Sequence, residues 1–170
     1  MTLPARGTPI RSVSFAAAAA EHLDDVYGYL VYLTRDRTLA EDLAAETFEK
    51  ALKLWKRYDP RRASARTWLC QIARTTALDW FRAEERRRRR EESVARPDVI
   101  EMAASEGLSP ELETALASLS AGEREVIALR VLLELDGEEA ARVLGISPTA
   151  VSTRLSRALT KLEERMAVHV

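Results

Sequence analysis

The stretch DGEEAARVLGISPTAVSTRLSRALTKLEERM, residues 136–166, constrains this chain more than any other. Asp136 stands three residues before Glu139, the spacing at which a capping side chain and a glutamate satisfy each other's backbone N–H groups and start a helix. Ala140, Ala141 and Leu144 supply its packing face, and Gly145 allows a sharp reversal. Ser147 followed by Pro148 starts a second helix, because proline at the first helical position gives up an N–H that has no partner there. Val151, Leu155, Ala158 and Leu162 recur at i, i+4, i+7 and i+11 and make one buried stripe. The opposite side carries Thr149, Ser152, Thr153, Ser156 and Arg157, short enough to approach base edges, with Arg154 and Lys161 able to reach phosphates. This is a helix-turn-helix; an amphipathic hairpin that only packs on a neighbour would share the pattern.

Similar start signals recur along the chain. Thr38 to Glu41 and Ser120 to Glu123 repeat the capping-box spacing, and Ser109 precedes Pro110. With an apolar N-terminal segment and a run from about Ala65, roughly seven helices are expected and no strands. The fold class is all-α: two small helical domains joined by a flexible linker, the C-terminal one containing the helix-turn-helix. The expected boundaries are a tail at 1–14, a first domain at 15–92, a linker at 93–108 and a second domain at 109–168. The stretch SFAAAAAEHLDDVYGYLVYL reads as a buried helix, since Glu21, His22, Asp24 and Asp25 interrupt it far short of a membrane span. Membrane insertion is therefore not expected.

Charge is segregated although the net value is only -1. Residues 53–96 carry fourteen Lys or Arg against six acids, five of the arginines consecutive at 86–90. Residues 97–139 carry eleven acids against Arg124 and Arg130, and residues 140–170 turn basic again. Two basic blocks around an acidic one fit two separate contacts with a polyanion, although solvated helix faces produce the same pattern.

In the N-terminal half, Ala44, Phe48, Ala51, Leu52 and Trp55 form an apolar stripe, and Asp42, Glu46 and Glu49 line up on another side. By spacing alone that row faces either a basic partner or water. Further on, Leu69, Ile72, Ala73, Thr76 and Trp80 form a packing face, leaving Arg74 and Arg82 on the other side to extend the positive surface. Between these helices Tyr58, Arg61, Arg62 and Arg66 combine an aromatic ring with positive charge, the mixture that suits unpaired nucleic acid. Trp68, Trp80 and Phe81 can equally be core.

One cysteine, Cys70, and two histidines leave no disulfide and no metal-ligand spacing. No glycine-rich phosphate loop and no Ser/His/Asp set is present, so neither a cofactor nor a catalytic site is expected.

Taken in order, AEDLAAETFEKAL, RTWLCQIARTTALDWFR and the stretch from LSAGEREV to KLEE resemble the bacterial RNA polymerase sigma factors of the extracytoplasmic-function (ECF) class, over roughly Phe15 to Met166. The resemblance implies a promoter-specificity factor rather than an enzyme. It assigns Asp42, Glu46 and Phe48 to polymerase binding, and Tyr58, Arg61, Arg62, Arg66, Arg74 and Arg82 to the minus-10 element. Thr149, Ser152, Thr153, Arg154, Ser156, Arg157 and Lys161 fall to the minus-35 element. Core RNA polymerase, promoter DNA and an anti-sigma factor are the implied partners, in the cytoplasm. Ala45, Thr75 and Ser152 depart from the usual glutamine, asparagine and basic residue of the family. A stand-alone helix-turn-helix regulator with an N-terminal partner-binding domain is the alternative; it would have no need of the acidic row and aromatic, basic loop.

Overall fold

The computed structural model describes residues 13–91 and 109–167, all of whose regular structure is helical. The expected linker at 93–108 and most of the expected tail lie outside them. Seven α-helices follow in order: α1 Phe15–Thr34, α2 Arg37–Leu54, α3 Ala65–Glu91, α4 Pro110–Ala117, α5 Ala121–Ile127, α6 Gly137–Leu144 and α7 Pro148–Ala167. A 3₁₀ turn, Trp55–Arg57, ends α2, and one π-helical turn, Ala128–Leu132, prolongs α5.

Local side chains set most of the helix starts. Ser120 and Glu123 form a reciprocal capping box on α5, and Asp136 and Glu139 form one on α6. Ser109 and Ser147 accept the N–H groups of Leu112 and Ala150, which places Pro110 and Pro148 at the first helical positions of α4 and α7. At α2 the expected cap is corrected: Asp36, not Thr38, accepts the Leu39 N–H at 3.0 Å, because the short carboxylate two residues earlier already meets the orphan donor.

Helices α1, α2 and α3 pack on one another around Val26, Leu30, Leu43, Ala51, Leu69 and Ala73; α4 to α7 enclose Val126, Leu129, Leu135, Val143, Val151 and Ala158. Helix α1 is amphipathic rather than buried all round. It hides Ala18, Val26, Tyr29 and Leu30 while Leu23 stays 49% exposed. No described helix is long and apolar enough to cross a membrane. The apolar stripe expected on α2 is shifted by one position: Leu43, Ala44, Thr47 and Ala51 face inward, and Leu52 stays 57% exposed. Gly145 ends α6 at φ +66°, a conformation that β-carbon sterics penalise in any other residue, and so turns the chain into α7. The stripe Val151, Leu155, Ala158 and Leu162 packs into the core as its period requires.

The two halves are in contact. Helix α3 lies against α6, α1 touches the π-helical turn, and buried side chains of both halves join one cluster.

Candidate nucleic-acid and polymerase interfaces

On α2, Asp42, Glu46 and Glu49 are all exposed, as the row of carboxylates requires. Lys50 approaches Glu46 at 2.7 Å and Lys53 approaches Glu49 at 2.6 Å, so one acidic and one basic file run side by side. The Lys53 hydrogen bond, reinforced by its charge, lowers the Glu49 carboxyl below its ordinary range. Phe48 is half-buried against the core and cannot present its whole ring outward. Leu52 and Leu54, exposed at the end of the same helix, add apolar surface beside the acids. Leu52 belongs to the apolar stripe expected from the sequence, but it follows directly after buried Ala51 and so points one step off the buried face.

The loop between α2 and α3 is built on aromatic rings. Phe15 meets Trp55 edge-on at 5.5 Å, Trp55 stacks on Tyr58 at 4.7 Å, and Tyr58 tilts against Trp68 at 5.2 Å. The Tyr58 hydroxyl donates to the Ala63 carbonyl. The ring thus braces the loop, with one face already covered. Arg61 and Arg62 are exposed; Arg61 makes a two-point contact with Asp59 at 3.1 Å. Arg66 leans toward Asp25 at 3.8 Å. Arg57, Arg61, Arg62 and, from α6, Arg142 line one cleft together with Asp59 and Trp68.

Arg74 departs from expectation. The sequence pattern puts it on an open basic surface, yet its Nε and Nη2 donate to the two carboxylate oxygens of Glu125 at 2.7 and 3.3 Å. Glu125 comes from α5 in the other half, and the Tyr29 hydroxyl donates to it at 2.8 Å. Burial, then the Glu125 charge, raises the Tyr29 phenol well above its ordinary value, so it remains a donor. Arg82 is exposed, 3.5 Å from Asp79.

The arginine run closes α3, where positive charge meets the helix's negative end. Arg87 pairs with Glu84 and Glu91, Arg88 reaches Glu84 and Arg89 reaches Glu85. Among the described residues Arg86 and Arg90 have no carboxylate within ion-pair distance. Much of the run is therefore neutralised one turn away.

On α7, Thr149, Ser152, Thr153, Ser156 and Arg157 are exposed together. Arg154 and Lys161 turn the other way. The Arg154 guanidinium lies over Gly122, close enough that an added methyl there would sit 3.2 Å from Nη1, and Lys161 Nζ is 2.6 Å from Glu123 Oε1. The Lys161 hydrogen bond, together with the Ser120 N–H, lowers the Glu123 carboxyl from 4.5 to about 2. Because the folded value lies below the unfolded one, this pairing stabilises fully above pH 4.5 and is lost as pH falls through 2. Glu123→Gln is expected to flatten the melting temperature against pH across that window relative to the unaltered chain; parallel curves for the two would count against the pairing.

Cys70 is buried, and burial pushes its thiol up to about 12, which leaves it unreactive. No group of three or more potential metal ligands occurs among the described residues.

Two family descriptions match, in order: Sigma-70 region 2 over residues 18–87 and Sigma-70 region 4 over residues 109–162. The ECF RNA polymerase sigma factor SigX of Bacillus subtilis is 30% identical over 154 residues, covering 84% of this chain and 78% of its own. SigC of Mycobacterium tuberculosis is 36% identical over 139 residues, covering 79% and 73%. Among solved structures, the sigma factor RpoE in complex with the anti-sigma factor NepR from Bartonella quintana superposes with a TM-score of 0.75 at 26% identity, over 91% of this chain and 97% of that one. CnrH, solved with the cytosolic domain of CnrY, gives 0.67 at 26% identity, over 92% and 89%. Because the N-terminal half matches a sigma region in its own right, a stand-alone regulator does not account for the chain. Two sigma regions in order, and relatives aligned along most of their length, place it in the ECF class of RNA polymerase sigma factors, the regulatory subunits that direct transcription to specific promoters.

Proposed function

We propose that this sigma factor divides its work among three surfaces. The exposed face of α2, with Asp42, Glu46 and the neighbouring Leu52 and Leu54, docks on core RNA polymerase; Phe48 supports it from beneath. The α2–α3 loop and α3 engage the minus-10 element through Arg61, Arg62, Arg66, Arg74 and Arg82, with Tyr58 bracing the loop. The exposed file Thr149, Ser152, Thr153, Ser156 and Arg157 reads minus-35 base edges from the major groove. Lys161 ties α7 to α5 through Glu123 and Arg154 packs over Gly122, so both reach DNA only by swinging away from α5.

The observation that carries this reading is the exposed polar file of α7, four short hydroxyl side chains with the longer Arg157 beside them, all able to reach base edges. The solved relative RpoE, bound to the anti-sigma factor NepR, supports an anti-sigma partner for this chain, whose work we assign to the cytoplasm. Adding the purified chain to core polymerase is expected to produce transcripts from a restricted set of promoters in a genomic run-off assay, with little sequence-specific duplex binding by the chain alone. Tight binding to one duplex without polymerase, and no transcripts with it, would refute the reading.

A further inference from the structure

Along α3, Arg66, Arg74 and Arg82 each lie within ion-pair distance of a carboxylate, Asp25 at 3.8 Å, Glu125 at 2.7 Å and Asp79 at 3.5 Å. The cleft between the α2–α3 loop and α6 is different. Four guanidinium side chains, Arg57, Arg61, Arg62 and Arg142, line it with a single carboxylate, Asp59. That carboxylate is already engaged: it accepts the backbone N–H of Arg61 at 3.0 Å and a two-point contact from the Arg61 side chain at 3.1 Å. Arg57, Arg62 and Arg142 have no carboxylate within ion-pair distance among the described residues, so three uncompensated positive charges line one concavity. Its walls are set by hydrogen bonds that do not involve these charges. The Arg62 N–H closes a turn on the Asp59 carbonyl at 3.0 Å, the Tyr58 hydroxyl donates to the Ala63 carbonyl at 3.1 Å, and Gln71 Nε2 donates to the Arg142 carbonyl at 3.0 Å. The arginines are therefore assembled before any ligand arrives, and an anion would relieve their mutual repulsion.

We propose that this cleft is a binding site for a linear polyphosphate group, carried by a nucleotide or present as a free inorganic chain. Its volume, about 470 Å³, falls in the range of sites that hold small organic ligands. Guanidinium forks match phosphate oxygens two at a time, and a cleft lined by one sign of charge concentrates counter-ions. The charges come from three pieces of chain, the 3₁₀ turn, the loop and α6, which suits an extended anion rather than a point charge. Trp68, half-buried on the same cleft, adds ring surface against which a base can lie. Arg61 and Arg62 are shared with the proposed minus-10 contact, so an occupant would withhold them from promoter DNA. That consequence rests on the minus-10 reading; binding itself does not.

Titration calorimetry of the full chain with ATP and with inorganic tripolyphosphate, at physiological ionic strength and without polymerase or DNA, tests the site. Both ligands are expected to bind. Arg57→Gln combined with Arg142→Gln should weaken binding about tenfold, whereas Lys53→Gln combined with Lys56→Gln, the same loss of charge from exposed positions outside the cleft, should weaken it less than about twofold. Absence of binding by the unaltered chain, or an equal loss in the two double variants, would overturn the site and leave the minus-10 reading untouched, since no DNA enters the experiment. With the site upheld, ATP bound more tightly than tripolyphosphate identifies a nucleotide, Trp68 supplying the difference; equal affinities identify the free phosphate chain.

Discussion

Replacing Asp42 and Glu46 together by arginine is expected to lower affinity for core RNA polymerase by about 30-fold or more, since like charges set against the basic surface proposed to receive them cost several kcal/mol. The fold should hardly notice. Both side chains are exposed, and Lys50, beside Glu46 at 2.7 Å, forms an i,i+4 pair of the kind that contributes about 0.3–0.5 kcal/mol. The melting temperature is therefore expected to stay within a few degrees of the unaltered chain. Leu52→Asp on the same face should act in the same direction if the exposed leucine is part of the contact. Co-purification with core polymerase measures both. Undiminished recovery of the double variant would remove the docking role from α2.

The second large effect separates base reading from charge. Arg157→Ala removes the one long cationic side chain in the exposed file of α7, and a bidentate arginine–guanine contact gives roughly 1–3 kcal/mol of discrimination. Activity should fall by about five- to 150-fold at promoters with the preferred minus-35 sequence, and little elsewhere. The arginine run should behave differently. Three of its members already face glutamates, so changing Arg86 and Arg90 to glutamine removes most of what the run can offer DNA. That change is expected to weaken every promoter alike and to reduce the slope of log affinity against log salt by at most about 0.9 for each phosphate lost. Transcription across a minus-35 variant library at two salt concentrations decides. A shift in base preference from the Arg86/Arg90 variant, or a uniform loss from Arg157→Ala, would show the division to be wrong.

What could be read from the sequence is what depends on neighbours a few residues apart. Ser120 with Glu123, Asp136 with Glu139, and the serines before Pro110 and Pro148 set helix starts because cap and partner are three residues apart. The period of Val151, Leu155, Ala158 and Leu162 located the inner face of α7, and with it the outer one. The same logic erred where two local solutions competed, as at Asp36 and Thr38, or where a stripe was drawn one residue too wide, as at Leu52. It was blind to partners brought together by the fold. Lys161 lies 38 positions from Glu123, and Arg74 lies 51 from Glu125, so spacing assigned both cations to DNA while the structure gives each a carboxylate. Glu125 in particular looked like one more acid in an acidic segment.

The ring cluster around the α2–α3 loop also gives the molecule an optical asymmetry. All three tryptophans, Trp55, Trp68 and Trp80, belong to the first three helices and the turn between them, and the last four helices have none. Trp55 and Trp68 lie in van der Waals range of Tyr58, next to the arginines of the loop. Intrinsic emission is thus blind to the C-terminal helices except through what they do to α1 and α3, whereas circular dichroism weighs every helix. Melting curves recorded by the two methods will coincide only if the halves unfold as one cooperative unit, so label-free spectroscopy on the unaltered chain can tell whether they do.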